Sequence, residues 1–490
     1  MVIVSQNHLG FILHNSQIEK DIFIPKYYNP EIGDTLDKLK KTYQLISISD
    51  LEKEGFIALS TGDEIGKMAY GTGEIPFIRT SDISNWEIIT DPKQRVSEEI
   101  YQKYSKKQDV QKGDIFFVRD GTYLIGQTCL LTESDIPCLF QSHILKIRVK
   151  KESSISAELL LACLNTPIVK KQIRSKQFTA DIIDTIGHRF NEVLLPIPKD
   201  SALAKDISDE IKEITNERIH LREQIRKIPL WVEGIINDLI DSIPEDYTGR
   251  IELEGSQGYL LRNSNVISKI YVPRYYDPKL ESDIKKMSKD FSMTTIQNMD
   301  KDQIISWDTG IEIGKMAYGT GLIPFIRTSD ITNWELKSDP KQCVSADIYK
   351  ENKQDVKAED IFVVRDGTYL VGSSCIITED ETNILYCGGI YRLRVEDKKK
   401  MDPYLLLALL NTPIVRRQMR AKQFTRDIID TLGKRLFEVI LPIPKDITKR
   451  QKIADETRRI VQARIQLRNR TKEIALQIQG IKNSQKRISK

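Results

Sequence analysis

The stretch IGKMAYGTGEIPFIRTSDISNWE, residues 65–87, occurs a second time as IGKMAYGTGLIPFIRTSDITNWE, residues 313–335. Of the 23 positions, 21 are identical, and the differences are Glu74 against Leu322 and Ser84 against Thr332. A repeat of this length indicates an internal duplication, which decides the domain organisation before any local pattern does. The 490 residues therefore form two related halves, each long enough to bury its own hydrophobic core.

The composition is typical of a globular protein, with 40% hydrophobic and 29% charged residues. The formal net charge of +4 is unevenly distributed. Residues 447–490 contain 13 Lys and Arg against 3 Asp and Glu, whereas residues 201–240 contain 6 against 8. A basic C-terminal segment is typical of contact with nucleic acid or acidic protein, and equally of a solvated helix face.

The N-terminus lacks the basic and apolar regions of a signal peptide. No apolar run approaches 18 residues, so we expect no membrane span and no membrane partner. No two of the six cysteines form CxxC, and only Cys129 and Cys375 occupy equivalent positions. This usage favours reduced thiols in a cytoplasmic protein over disulfides or zinc ligands.

Both halves contain the same order of local patterns. Each has a strand-like opening, a turn at a proline, a lysine-rich helical stretch and then the repeated block. Asp120-Gly121 and Asp366-Gly367 follow strand-like runs and predict hairpins. A short apolar helix, a basic amphipathic stretch and the sequence PIPKD complete each half. The fold class that follows is α+β, built from two tandem modules of mixed α/β structure.

A heptad pattern follows each PIPKD sequence. The apolar residues at seven-residue spacing are Ile207, Ile214, Leu221 and Ile228 in the first half, and Ile453, Ile460, Leu467 and Ile474 in the second. Such a seam over about four heptads predicts a coiled coil about 42 Å long. An ordinary amphipathic helix packed on its own module is the alternative, but the matched positions favour packing of the two helices together. Pro229 predicts a kink or an end in the first helix.

The sequence offers few groups for catalysis or metal binding. All five histidines lie in the first half, so a duplicated histidine site or a metal cluster is not expected. Neither a P-loop nor a GxSxG or HExxH motif occurs. Three aspartates recur in both halves, as Asp82, Asp114 and Asp120 and as Asp330, Asp360 and Asp366. They leave a metal-dependent nuclease open, although aspartate in turns commonly caps the backbone.

DNA recognition is the more favoured interpretation, because arginine can bind guanine through two hydrogen bonds and short hydroxyls contact bases or phosphates. The residues predicted to read bases or contact the backbone are Lys67, Tyr70, Arg79, Thr80, Ser81, Arg119 and Tyr123, with their counterparts Lys315, Tyr318, Arg327, Thr328, Ser329, Arg365 and Tyr369. The basic amphipathic stretches predict phosphate contacts by Lys170, Lys171, Arg174, Lys176, Arg416, Arg417, Arg420 and Lys422. Salt bridges with neighbouring aspartates are the structural alternative for the arginines.

The motifs FIRTSDI, GDIFFVRDGTYLIG, LLLACLNTP, SKQF and LLPIPKD, followed by a heptad helix and all present twice, resemble the specificity (S) subunit of type I restriction–modification systems. The resemblance covers essentially the whole chain. It implies target-recognition domains at residues 1–200 and 246–446, and conserved spacer helices at 201–245 and 447–490. The helices would form an antiparallel coiled coil with pseudo-two-fold symmetry.

The resemblance also implies what the chain binds. Double-stranded DNA would be recognised at a bipartite site, and methyltransferase (M) subunits, with restriction (R) subunits in some assemblies, would be the protein partners. Such a subunit has no catalytic activity and no cofactor; S-adenosylmethionine, ATP and Mg would be bound by the partner subunits. IPKYYNP and LPIPKD also resemble the specificity parts of fused restriction–methylation enzymes, so the kind of system stays open.

The near-identity of the two blocks leads to a prediction that the family resemblance does not imply. Two equal readers related by a two-fold axis should recognise an inverted repeat, so we predict a palindromic or nearly palindromic bipartite target. The segments 127–146 and 373–392 differ in most positions, and the half-sites would differ if bases are read there. An autonomous DNA-binding module without enzyme partners and the nuclease remain the alternative functions.

Overall fold

The computed structural model describes residues 3–4, 11–19, 22–92, 94–121, 124–180, 183–244, 247, 262, 266–267, 270–340, 342–367, 370–426 and 429–480. These divide into two compact units. Unit 1 comprises residues 1–88, 92–217 and 468–490, and unit 2 comprises residues 89–91 and 218–467. The division into four segments stays a prediction, although the two long helices begin at Ser201 and Ile447, where that division places them.

The first half of the chain contains fifteen strands and six helices among its described residues. The strands are β1 Ile3–Val4, β2 Phe11–Ile12, β3 Tyr43–Ser47, β4 Ile57–Thr61, β5 Ile75–Ile78, β6 Ile83–Ser84, β7 Glu87–Ile88, β8 Arg95–Val96, β9 Ile115–Val118, β10 Thr128–Leu130, β11 Leu139–Phe140, β12 Ile144–Val149, β13 Phe178–Ala180, β14 Ile183–Thr185 and β15 Leu194–Pro198. The helices are α1 Pro30–Leu39, α2 Ile48–Lys53, α3 Glu98–Gln108, α4 Ala157–Leu164, α5 Pro167–Ser175 and α6 Ser201–Glu233.

The core of unit 1 forms around β9, whose four residues IFFV are all buried. A short, continuous apolar run of this kind fits a strand that is covered on both faces. Phe116 packs against Phe140 on one side, and Phe117 packs against Phe190 on the other. Strand β9 lies inside a sheet of order β10-β9-β12-β4, and a second sheet has the order β11-β5-β8. The repeated block supplies β5 and the polar turn that follows it.

The second half repeats this plan. Its strands are β16 Phe291–Thr295, β17 Ile305–Thr309, β18 Ile323–Ile326, β19 Ile331–Thr332, β20 Glu335–Leu336, β21 Cys343–Val344, β22 Ile361–Val364, β23 Ser374–Ile376, β24 Leu385–Tyr386, β25 Ile390–Val395, β26 Phe424–Arg426, β27 Ile429–Thr431 and β28 Ile440–Pro444. Its helices are α7 Pro278–Met287, α8 Ile296–Lys301, α9 Ala346–Glu351, α10 Pro403–Leu410, α11 Pro413–Lys422 and α12 Ile447–Ile478. The sheets have the orders β17-β25-β22-β23 and β21-β18-β24, which match those of unit 1.

The two long helices, α6 and α12, carry the heptad residues. All eight of these side chains are between 0 and 4% exposed, and full burial of one such side chain contributes about 1.5–3 kcal/mol. Within unit 2, Arg459 of α12 contacts Gln224 of α6, and Lys449 donates to the carbonyl of Val232. The contacts therefore run in opposite order along the two helices. Within unit 1, Arg470 pairs with Glu210 and Glu213.

Helix α6 does not end at Pro229, which corrects part of the sequence-based expectation. It continues to Glu233 with Pro229 inside it. Proline removes one helical hydrogen bond and crowds the preceding turn. The apolar residues on both sides of it, Ile228, Leu230 and Val232, are buried, and this burial offsets the lost hydrogen bond.

The end of each long helix caps a basic helix through one side chain. In unit 2 the Glu233 carboxylate accepts a hydrogen bond of 2.6 Å from the backbone N–H of Ile414, in the first turn of α11. In unit 1 the Gln479 amide oxygen accepts one of 2.8 Å from Ile168 N–H, in the first turn of α5. The two positions are equivalent in the repeat. Unit 2 therefore has a titratable group where unit 1 has a neutral one.

Replacing Glu233 with glutamine should remove a pH dependence from unit 2. Burial raises the pKa of Glu233 from 4.5 to about 7, against the opposing effects of the Ile414 N–H and Arg417. Because the folded-state pKa is the higher one, unit 2 loses stability as pH rises from 4.5 to 7, by about 3 kcal/mol at most. Urea unfolding measures this. The variant and the parent should have similar free energies of unfolding at pH 5, and at pH 8 the variant should be the more stable by up to about 3 kcal/mol.

Gln479→Glu is the matched control in unit 1. It should introduce the same loss of stability between these pH values in unit 1. An E233Q chain whose stability relative to the parent is the same at pH 5 and pH 8 would contradict the assignment.

A buried ionic cluster joins both long helices to a hairpin of unit 2. Arg218 of α6 donates to Glu335 Oε1 at 3.1 Å, and Arg464 of α12 donates to the same oxygen at 2.8 Å. All three side chains are at most 4% exposed. Glu335 begins β20, directly after the turn at Asn333 and Trp334, which both have positive φ. The cluster therefore fixes the end of the repeated block to the helix pair.

No helix among the described residues is long and apolar enough to cross a membrane. All six cysteines have free thiols.

Candidate nucleic-acid interface

The most exposed part of the repeated block is a glycine-rich loop, which we call the recognition loop: residues 66–74 in unit 1 and 314–322 in unit 2. Lys67 and Met68 lie in a single turn of 3-10 helix, and Met68 is 93% exposed. In unit 2, Lys315 is also exposed and Met316 is 92% exposed. A lysine beside a fully exposed apolar side chain can contact a phosphate and a base edge.

The two recognition loops have the same backbone conformation. Gly66 has φ −61° and ψ 148°, and Gly314 has φ −63° and ψ 148°. Gly71 and Gly319 both have φ +74°, a conformation that favours glycine. Apart from Glu74, which corresponds to the exposed Leu322, the same exposed side chains are therefore presented in the same local geometry in both units.

The predicted aromatic contacts, Tyr70 and Tyr318, are partly used inside the units. Tyr70 lies 5.7 Å from the ring of Phe77, and Tyr318 lies 5.7 Å from the ring of Phe325. Both are half-buried, and their ring contacts join the recognition loop to the interior of each unit. Tyr123 and Tyr369 lie outside the described residues.

Arg79 and Arg327 directly follow strands β5 and β18. The backbone N–H of Arg79 donates to Asp82 Oδ2 at 2.8 Å, and that of Arg327 donates to Asp330 Oδ2 at 2.9 Å. The aspartates are buried, whereas the arginines and their hydroxyl neighbours, Thr80, Ser81, Thr328 and Ser329, are half-buried. The aspartates thus hold the turn by capping it, and the side chains after the strand remain partly accessible.

Arg119 lies in what we call the arginine loop, residues 119–121 in unit 1 and 365–367 in unit 2. Its Nε donates to Asp120 Oδ2 at 2.9 Å, and its side chain is 35% exposed. Thr185 of β14 donates its hydroxyl to the other oxygen of Asp120. Gly121 N–H donates to Asp184 O at 2.9 Å. The β13–β14 hairpin therefore holds the loop in place.

The arginine loop of unit 2 is held by the equivalent hydrogen bonds, but its arginine lies beside a different side chain. Arg365 Nε donates to Asp366 Oδ2 at 2.9 Å, and Thr431 donates to Asp366. The Arg365 guanidinium also lies 5.2 Å from the ring centre of Tyr391. A cleft of about 690 Å³ opens beside it, lined by Trp307, Thr309, Arg365, Tyr391, Phe424, Thr431, Gly433, Lys434 and Arg435.

The basic helices α5 and α11 are largely neutralised by ion pairs. Lys171 pairs with Glu31, and Lys176 with Glu192, in unit 1. In unit 2, Arg417 pairs with Asp283 and Lys422 with Glu438. Lys170 and Arg420 are half-buried, and burial together with Arg420 lowers the pKa of Arg416 to about 10. Arg174 is exposed. Phosphate contact by the eight residues stays a prediction.

The repeated aspartates have structural partners in each unit. Asp114 accepts from both Nε and Nη2 of Arg148, and Asp360 accepts from the same atoms of Arg394. Among the residues described, no group of three or more His, Cys, Asp or Glu side chains is arranged to hold a metal ion. The observed role of these carboxylates is to fix loops and strands.

Sequence reasoning missed several members of this surface. Thr185 and His143 contact Asp120 of the arginine loop in unit 1, and Glu64 lies beside His143. The recurrence of the dipeptide Asp-Thr, as Asp184-Thr185 and Asp430-Thr431, was the available signal for the threonine. His143 has no histidine counterpart, so comparison of the halves gave no signal for it.

Residues 64–228 match the family model described as the type I restriction modification DNA specificity domain. This stretch is similar to a type I specificity domain. It contains the recognition loop and the arginine loop of unit 1 and most of α6, so the resemblance inferred from the sequence is confirmed over residues 64–228. Unit 2 contains the second copy of the repeated block of this domain.

Three solved structures are similar to this chain, and each comparison covers 90% of its length. An S subunit of a type I restriction–modification system from M. genitalium is 11% identical, with 90% of this chain and 94% of that chain covered and a TM-score of 0.33. The HsdS subunit from Thermoanaerobacter tengcongensis is 13% identical, with 90% and 95% covered and a TM-score of 0.27. A chain from a study of complex assembly and conformational transition of the type I R-M system is 13% identical, with 90% and 96% covered and a TM-score of 0.26. No curated protein sequence matches the chain.

Proposed function

We propose that the chain is a non-catalytic DNA-specificity subunit that directs partner methyltransferase and restriction subunits to a bipartite site. Each unit reads one half-site through its recognition loop and arginine loop. The helices α6 and α12 form an antiparallel coiled coil that sets the spacing of the half-sites and gives the chain pseudo-two-fold symmetry. S-adenosylmethionine, ATP and Mg are bound by the partners, and the complex acts on DNA in the cytoplasm.

The observation that carries the proposal is the identity of exposed residues. Buried residues are constrained by packing, whereas exposed loop residues are free to diverge unless they bind something. Gly66, Lys67 and Met68 are exposed, and the same three residues recur exposed in unit 2. Loops of equal conformation that share these exposed residues, and differ only at Glu74 and Leu322, are suited to similar DNA sequences in inverted orientation.

The divergent segments 127–146 and 373–392 differ partly inside the core. Of the 15 positions that differ, 7 are buried in both units; Leu131 corresponds to Ile377, and Phe140 corresponds to Tyr386. These exchanges refill the core with side chains of similar volume, which a folded domain tolerates. About half of the divergence therefore lies in the core, and the remaining differences are at positions accessible in at least one unit.

Mapping methylated sites in cells that express the complete system tests the proposal. We expect a bipartite motif whose two half-sites are inverted copies in most or all positions. Two unrelated half-sites would contradict the palindrome, and a system that modifies no defined sequence would contradict the specificity function itself. Co-purification with a methyltransferase subunit separates this function from an autonomous DNA-binding module.

A further inference from the structure

The residues directly before β12 and β25 make the candidate surfaces of the two units differ at an accessible place beside the arginine loop. The residues before β12 are Ser142 and His143, and those before β25 are Gly388 and Gly389. His143 is 36% exposed at its side chain, similar to Arg119 at 35%. Unlike the buried exchanges in the same segment, this one changes the chemical groups that a ligand can reach.

In unit 1, His143 lies between two carboxylates. Its Nδ1 is 3.1 Å from Asp120 Oδ2, the oxygen that also accepts from Arg119 Nε. Its Nε2 is 3.8 Å from Glu64 Oε1, and Ser142 donates its hydroxyl to the same carboxylate. A carboxylate that accepts from a guanidinium is ionised and can only accept, so Nδ1 carries the proton. In the neutral ring, Nε2 is then a hydrogen-bond acceptor.

Unit 2 has no such group, and the space is partly closed. A Cβ atom on Gly389 would lie 2.9 Å from Thr328 Cγ2, and one on Gly388 would lie 2.7 Å from Glu312 Oε1. The arginine is supported instead by the ring of Tyr391, which replaces Leu145 of unit 1. Neither glycine has a positive φ, so the backbone there does not itself require glycine.

We infer that His143 is a specificity-determining residue of unit 1, which reads an exocyclic amino group beside the base contacted by Arg119. The inference rests on the proposed function. In the major groove the matching groups are N6 of adenine and N4 of cytosine. Nε2 of His143 and the nearby Glu64 oxygen form an acceptor pair for such a group. Unit 2 offers Glu312 without the imidazole, so the two half-sites differ at this position.

The test compares methylation motifs of the complete system with the parent chain and with S142G/H143G, which gives unit 1 the residues of unit 2. We expect the preference for adenine or cytosine at one position of one half-site to fall about tenfold, which is the effect of one lost base contact. The other positions should stay unchanged, so that the motif becomes more symmetric. H143A tests the imidazole without adding glycine, and should give the same change.

Ser134→Asp is the matched control, because it gives an exposed position of the same segment its counterpart from unit 2. It should leave the motif unchanged. Identical half-sites in the parent, or a motif unaffected by both S142G/H143G and H143A, would overturn the role of His143 while leaving the specificity function in place. A parent system that modifies no bipartite site would instead remove the proposed function.

Discussion

Replacing Glu335 with alanine should lower the free energy of unfolding of unit 2 by about 3–5 kcal/mol, because it leaves two buried guanidinium groups without their shared carboxylate. Arg218 and Arg464 both donate to Glu335 Oε1, and the cluster is almost completely shielded from water. A loss of this size approaches the whole stability of many domains. Urea unfolding followed by tryptophan fluorescence measures it, since Trp334 is the adjacent residue.

Two further variants make this experiment decisive. Glu351→Ala removes an exposed carboxylate of the same unit and should change stability by less than about 0.5 kcal/mol. Replacing all three residues with apolar ones, as R218M/E335L/R464M, should recover most of the loss, because both guanidinium groups are then removed together with the carboxylate that they share. If Glu335→Ala costs as little as Glu351→Ala, the cluster does not stabilise the unit.

Substituting the arginine-loop residues should have the largest effect on DNA binding. A bidentate contact to guanine contributes about 1–3 kcal/mol, so Arg119→Ala or Arg365→Ala should each weaken binding to the cognate duplex by roughly 5–150-fold. Lysine keeps the charge but loses the planar pair of donors. R119K and R365K should therefore retain binding to an unrelated duplex and still lose cognate affinity.

Fluorescence anisotropy with cognate and scrambled duplexes at one salt concentration measures both effects in the assembled complex. Lys151→Ala, at an exposed position outside the candidate surface, is the control and should leave the ratio of the two affinities unchanged. Equal losses on both duplexes would assign the arginines to phosphate contact instead of base reading.

The sequence predicted the repeated parts of the fold well, because their signals are local. The heptad spacing marks Ile207 and its seven companions, all of which are buried, and the apolar run at 115–118 forms the central strand β9. Proline marks the start of each basic helix, at Pro167 and Pro413.

The sequence could not predict partners that approach from far along the chain. No local pattern marks Arg218 and Arg464 as buried, because their partner Glu335 lies 117 and 129 residues away. The basic face of α5 suggested phosphate contacts for the same reason. The carboxylates that neutralise it, Glu31 and Glu192, belong to other elements of unit 1.

The division of the chain into units has a consequence for its synthesis. Unit 1 needs residues 468–490, which are made about 250 residues after Glu217. At roughly 5–20 residues per second, the ribosome takes roughly 10–50 s to supply them. During this interval the apolar seam of α6 lacks its final neighbour. A nascent chain is therefore exposed to aggregation or to capture by a chaperone until α12 has been made.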